Sequence, residues 1–173
     1  KNGVNATFHK GDVSKLDEIS SVFDSFLESH KKIDVLINNA GCMSFGYEET
    51  EDNIERTFAT NHLAYFLLTN LLLDNLKNSK EARIINVSSE ASKSAKINFE
   101  DLNLKKDYST FKAYAQSKLA NILFTRSLAS KLKDYKITVN CLHPGYVDTG
   151  IGLNNEGFFV RLLMNLGRPF AKK

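Results

Sequence analysis

The chain has 173 residues, a net charge of +3, 42% hydrophobic residues and 25% charged residues. That is one domain's worth of chain, long enough to bury a core, with the composition of a soluble globular protein. So small and dispersed a charge argues against nucleic acid, and the pairs Lys31-Lys32, Lys105-Lys106 and Lys172-Lys173 read as solvated loop or helix-end charge.

Cys42 and Cys141 are the two cysteines, far apart and each beside an apolar run. A disulfide framework does not fit them and a reduced compartment does, which gives a cytoplasmic reading. No metal-ligand spacing occurs, so no metal is expected. The most apolar stretch, residues 63–76, is broken by Thr69, Asn70, Asp74 and Asn75. A bilayer span needs about 20 apolar residues, so no membrane segment is expected in this chain. Because the chain starts at Lys1 and not at Met, an upstream anchor or targeting segment stays open.

In chain order, residues 5–8 predict a short strand, followed by Gly11-Asp12-Val13. Ser14 fits a helix N-cap, Asp17 and Glu18 suit the first turn, and Val22, Phe23, Phe26 and Leu27 form the apolar stripe. Residues 33–37 predict a strand buried on both faces, ending in Asn38-Asn39-Ala40-Gly41. A long helix is expected over 52–77, with Ile54, Phe58, Asn61, Tyr65 and Leu68 at helical spacing. Residues 82–87 predict a strand ending in Ser88-Ser89, and 90–107 are polar and irregular. A second long helix is expected over 108–133, then a strand over 136–142 closed by His143-Pro144-Gly145. Residues 158–171 predict an amphipathic helix, either packed on the core or acting as a flap over an apolar substrate. Strands alternating with helices predict an α/β fold with a doubly wound parallel sheet. In such sheets ligands bind at the carboxyl ends of strands, where Asp12, residues 38–41, Ser88-Ser89 and Pro144-Gly145 gather.

Tyr114 and Lys118 stand at i and i+4, on one helical face. A phenol ordinarily ionises near pH 10 (about 10 in model compounds), and a neighbouring ammonium favours the phenolate, which suits proton exchange with an alcohol or carbonyl. Ser89, at the end of the adjacent strand, could bond the same substrate oxygen. The spacing alone is weak evidence, since Tyr108 and Lys112 repeat it nearer the start of the helix.

Four motifs in order change the weight of that pair. They are Asn38-Asn39-Ala40-Gly41, Asn86-Val87-Ser88-Ser89, Tyr114-Ala115-Gln116-Ser117-Lys118 and His143-Pro144-Gly145, each after a strand or on a helix. This resembles the short-chain dehydrogenase/reductase family over essentially the whole chain. Thr60-Asn61-His62-Leu63, Phe66-Leu67-Leu68-Thr69, Phe99-Glu100-Asp101-Leu102, Ser117-Lys118-Leu119-Ala120-Asn121 and Leu142-His143-Pro144-Gly145 look most like the retinol-dehydrogenase-like branch.

The resemblance implies an oxidoreductase that moves hydride between NADP, or NAD, and a carbonyl or alcohol, with a hydrophobic retinoid- or lipid-aldehyde-like substrate. Tyr114 would be the acid/base, Lys118 would hold the nicotinamide ribose, Ser89 would steady the substrate oxygen and Asn61 would bind a water in a proton relay. Asp12 would accept from the adenine amino group beside Val13. Asn39, Ala40 and Gly41 would let the dinucleotide approach the backbone, and Pro144, Gly145, Val147 and Thr149 would shape the nicotinamide end. Asn38 would tie adjacent strands, while Cys42, Cys141 and His143 read as structural. In many relatives the two long helices pair subunits, so a homodimer is expected through them.

The family's opening strand, Thr-Gly-x-x-x-Gly-x-Gly turn, helix and second strand have no match here, and neither does its last strand. The domain over 1–173 is therefore expected to be partial, a Rossmann-like sheet holding strands resembling 3 to 6 of the order 3-2-1-4-5-6-7. Strand 3 would be separated from strand 4 by two absent strands, and such a piece should bind cofactor poorly by itself. The other reading that this departure leaves open is a non-catalytic scaffold or interaction module on the same fold.

Overall fold

A computed structural model describes Gly3 and residues 5–145. Val147, Thr149 and the segment 158–171 lie outside the described residues.

Three apolar runs form the sheet: β1 (Val35–Asn38), β2 (Ala82–Val87) and β3 (Ile137–Leu142), all parallel in the order β1-β2-β3. The register sets Leu36 beside Ile84 and Val139, and Asn38 beside Asn86 and Cys141. Successive side chains alternate between the two faces, so these two rows share one face. On that face Leu36, Ile84, Ile137 and Val139 pack with Leu72, Leu76, Leu128 and Leu132 into the main core.

The covering helices come from the segments before and between the strands. They are α1 (Leu16–Ser29), α2 (Arg56–Phe58), a π turn (Ala59–Leu63), α3 (Ala64–Leu71), α4 (Leu73–Lys77) and α5 (Thr110–Lys131), with a 3-10 turn at Glu90–Ser94 after β2. The Rossmann-like α/β class holds, with an incomplete sheet. No helix among the described residues is long and apolar enough to cross a membrane.

Four local expectations need correction. Residues 5–8 form no strand and Phe8 is 86% exposed, because no strand among the described residues lies alongside to accept its backbone bonds. β1 is not buried on both faces. Val35 and Ile37 are 51% and 60% exposed, since the described helices cover only the opposite face. Ser14 is not the N-cap, a position held by Lys15; the Ser14 N–H is instead taken by Asp12 Oδ1 at 2.9 Å. The helix expected from 52 to 77 begins at Arg56 and is interrupted by the π turn and at Leu72.

The late start has a local cause. Glu55, buried to 1% exposure, accepts from the N–H groups of Thr57 at 2.9 Å and Phe58 at 2.6 Å. Those are donors that a helix N-terminus leaves orphaned. Burial raises the Glu55 carboxyl pKa, and the bonds from Thr57 and Phe58 oppose that rise. Glu55→Ala is expected to destabilise the fold by about 2 kcal/mol, since both donors are left unpaired away from water. Urea unfolding of the two proteins checks this, and an unchanged midpoint contradicts the capping role.

Candidate active site

The sheet's carboxyl ends are tied by a line of buried amides and hydroxyls. Asn38 Nδ2 donates to Thr69 Oγ1 at 3.0 Å and to Asn86 Oδ1 at 2.8 Å. Asn86 Nδ2 donates to Thr125 Oγ1 at 2.9 Å, and Thr125 Oγ1 donates to the Asn121 carbonyl at 2.7 Å. Asn38 thus ties adjacent strands. The line continues onto α5, whose stripe Tyr114, Ser117, Lys118 and Asn121 faces the same strand ends at helical spacing.

Lys118 is 2% exposed, and its Nζ donates to the Val87 carbonyl, the last residue of β2, at 3.2 Å. The ammonium lies 5.7 Å from the Tyr114 ring centroid and 5.9 Å from that of Tyr65. Burial pulls its pKa down to about 8, and neighbouring Cys141 and Cys42 push the other way. Tyr114 is half-buried, and no bond among the described residues occupies its hydroxyl. Its carbonyl accepts from Ser117 Oγ at 2.7 Å, which steadies the helix turn between the two residues.

The second Tyr–Lys pair is committed elsewhere. The Tyr108 hydroxyl donates to the Ser44 carbonyl at 3.0 Å, and burial pushes its pKa up to about 12. Lys112 is exposed and bonds Asp107.

The two serines after β2 divide their work. Ser88 is buried and donates to the Lys118 carbonyl at 2.7 Å. Ser89 is half-buried, and its Oγ accepts only a long 3.3 Å bond from Ala91 N–H as it caps the 3-10 turn, so its own proton is uncommitted among the described residues.

Asn61, fully buried in the π turn, links the loop after β1 to α5. Its Oδ1 accepts from Cys42 N–H at 2.8 Å, while Nδ2 donates to the Cys42 carbonyl and to Ser117 Oγ, both at 3.0 Å. The side chain spends its groups on satisfying the loop backbone and α5. The loop it grips passes very close: a Cβ on Gly41 would stand 3.3 Å from Asn61 Oδ1 and 3.5 Å from Lys118 Nζ. A side chain there would crowd Asn61 by a few tenths of an ångström and touch the ammonium at ordinary contact distance, so glycine leaves the loop its clearance. The Tyr65 hydroxyl fixes the preceding residue by donating to the Ala40 carbonyl at 2.8 Å.

Asp12 and Val13 face Asn39 and Ala40 across a pocket of about 100 Å³ that Tyr65 also lines. Asp12 holds its loop through the Ser14 bonds, which also hold its pKa below the usual carboxylate range. A larger cavity, about 430 Å³, lies under residues 94–107 and is lined by Lys112 and Gln116, not by Tyr114 or Lys118. Beyond β3, His143 is exposed, with Nε2 3.6 Å from Glu90, and Gly145 takes φ +84°, a conformation that favours glycine. Cys42 and Cys141 are free thiols, half-buried at the rim of the site and not deep in the core.

Sequence reasoning missed Ser88, Ser117, Asn121 and Tyr65. For Ser117 and Asn121 the signal was available in the polar stripe of α5, where residues that suit solvent recur at core spacing.

A family model described as short chain dehydrogenase matches residues 1–156. Human retinol dehydrogenase 14 is 48% identical over 156 residues, covering 90% of this chain and 46% of that protein. Mouse retinol dehydrogenase 12 is 45% identical over 163 residues, covering 94% of this chain and 51% of that protein. A crystal structure of an uncharacterised protein from Mycobacterium paratuberculosis superposes with a TM-score of 0.73 at 40% identity, over 84% of this chain and 52% of that one. The chain spans about half the length of the curated relatives it matches. With a model matched over most of its length and its relatives named retinol dehydrogenases, the chain belongs to the short-chain dehydrogenase family.

Proposed function

We propose that this chain carries the proton-transfer site of a nicotinamide-dependent oxidoreductase that interconverts an alcohol and a carbonyl. The observation that carries the reading is the contrast between the two Tyr–Lys pairs. Tyr114 has an uncommitted hydroxyl beside a buried ammonium, while Tyr108 and Lys112 are tied to other groups.

The residues suit a nicotinamide nucleotide: a glycine that brings the backbone against Lys118, small neighbours at Asn39 and Ala40, and a buried cation with free donor capacity. Asp12, Val13, Asn39, Ala40 and Gly41 would hold its adenosine side, and Lys118, Pro144 and Gly145 its nicotinamide side, with Val147 and Thr149 beyond the described residues. Bound there, the cofactor supplies or accepts hydride. We favour NADP over NAD only on the family resemblance.

The chain's own residues would handle the proton. The Tyr114 hydroxyl gives a proton to the substrate oxygen in reduction and takes it in oxidation. The Ser89 hydroxyl donates to the same oxygen and fixes its position. Lys118 stays mostly charged at neutral pH and holds a buried ammonium beside the Tyr114 ring. Asn61 positions the Gly41-Cys42 loop and α5 relative to each other. The relatives' names support a hydrophobic, retinoid-like alcohol or aldehyde. A scaffold reading gains nothing from the site, since a scaffold does not require a buried ammonium beside a free phenol.

Pairing of two copies through α3 and α5 belongs to the same proposal. Phe66 and Leu123 are 48% and 44% exposed, and Phe66 packs against Phe124 with ring centroids 5.4 Å apart, an apolar strip across both helices. Leu123→Glu is expected to shift the protein to monomer in sedimentation velocity; an unchanged distribution argues against this interface.

In the natural protein carrying this chain, Tyr114→Phe is expected to lower kcat by roughly 10²–10⁴-fold for an aldehyde substrate with little change in cofactor affinity. Full activity in that variant removes the reading. Lys118 adds a stability test. Its depressed pKa means that the unfolded chain binds a proton the folded one does not between about pH 8 and its ordinary 10.5. Stability therefore rises with pH across that window, and the cost of burying the charge is fully present below it. Lys118→Met should abolish turnover yet stabilise the fold by about 2 kcal/mol at pH 7. The gain should fade toward pH 10.5, as read from denaturant melts along the pH scale.

A further inference from the structure

Asn121 and His62 belong to no step of the proposed reaction, and they touch each other. Asn121 is fully buried on α5, and its Nδ2 donates to the Asn61 carbonyl at 2.8 Å and to the Val87 carbonyl at 3.4 Å. Carbonyls only accept, so the amide nitrogen must face them and Oδ1 must face the His62 ring, whose Nδ1 lies 3.0 Å away. An amide oxygen also only accepts, so His62 Nδ1 carries a proton and donates it to Asn121. Burial lowers the His62 pKa, which keeps the ring neutral as that single tautomer. Its orientation is held by Phe58 and Phe124, with ring centroids at 5.2 Å and 6.2 Å.

The Val87 carbonyl is the atom that also accepts from Lys118 Nζ at 3.2 Å. One amide therefore spans the end of β2, the π turn that carries Asn61, and the helix that carries the ammonium. We propose that Asn121, oriented by the His62 Nδ1–H, is a positioning residue that fixes the Lys118 ammonium by holding the Val87 and Asn61 carbonyls in register and keeping water from the space between them. The proposal rests on the oxidoreductase reading, in which Lys118 is the cation beside the cofactor. The titratable groups around that ammonium are Cys42 after β1, Cys141 on β3, Tyr65 on α3 and Tyr114 on α5. Around His62, Asn121 is the polar partner and the two aromatic rings carry no charge.

The test uses the natural protein with ¹³C-labelled lysine, in which the Lys118 titration is read by NMR without turnover. Asn121→Ala opens room for water beside the ammonium, relieves its burial and raises its midpoint by about one unit. The pH profile of kcat should move with it, and kcat should fall on the order of tenfold to a hundredfold with a smaller change in KM. His62→Phe keeps an aromatic ring between Phe58 and Phe124 but withdraws the N–H, and should move the midpoint less in the same direction. It carries the test alone if Asn121→Ala does not fold. A folded variant whose Lys118 midpoint and kcat match the unsubstituted protein overturns the proposal. Full activity in Tyr114→Phe would remove the oxidoreductase reading while leaving the lysine titration to judge Asn121, so the two failures are distinguishable.

Discussion

The site depends on how the buried backbone and amide groups at the ends of three parallel strands find partners. Parallel strands stop together, and the polar groups at their ends would be costly to leave unpaired under the helices that cover them. Asn38, Asn86, Thr69 and Thr125 satisfy one another across the sheet and up into the helices, and Asn121 and Lys118 both reach the Val87 carbonyl. Each such bond contributes a net of only about 1 kcal/mol, but an unpaired member costs about 1–3 kcal/mol, so the set acts as one unit. That coupling, more than the strength of any member, sets α5 at one height relative to the strand ends.

The height of α5 then decides the chemistry. Its inward stripe is polar where a packing helix would carry leucine, and the apolar packing returns further along at Leu128. The same helix is therefore core at one end and site at the other. The π turn has a matching function on the facing helix. Inserting a residue at Ala59–Leu63 brings Asn61 into reach of both the Cys42 backbone and Ser117, two groups on different elements. A regular turn would have kept the helix straight without making that bridge.

Much of this was legible in the sequence. Residues 82–87 read as a strand from Ala82, Ile84, Ile85 and Val87, and the strand has those bounds. The last strand and the long helix on Tyr114 differ from expectation by a residue or two, within ordinary fraying. The choice of Tyr114 over Tyr108 rested on its depth in the helix and on the family motif around it, and the structure ties the Tyr108 hydroxyl to the Ser44 carbonyl. What escaped was mostly polar. Ser88 as a strut for Lys118 and Asn121 as a bridge depend on contacts between segments far apart in the chain, which periodicity does not report, while the Glu55 cap is local and lay inside a stretch read as unbroken helix. The strand expected at 5–8 failed for a related reason: local propensity favours extension, but a strand is defined by its neighbour.

The bare side of the sheet sharpens the point. Val35, Ile37 and Leu142 face outward, interspersed with exposed Arg83, Thr138 and Asn140. Yet none of the bonds that orient Tyr114, Lys118, Ser88 or Asn61 runs through it. Every one lies on the covered side or at the strand ends. The proposed proton-transfer half of the site is thus organised by contacts among residues 5–145, while the side toward Asp12 and Val13, next to Ile37, has fewer such ties among the described residues. Under the proposed reading, substitutions on that face should therefore alter nucleotide affinity before they disturb the tyrosine and lysine, because the polar network that holds them does not reach so far.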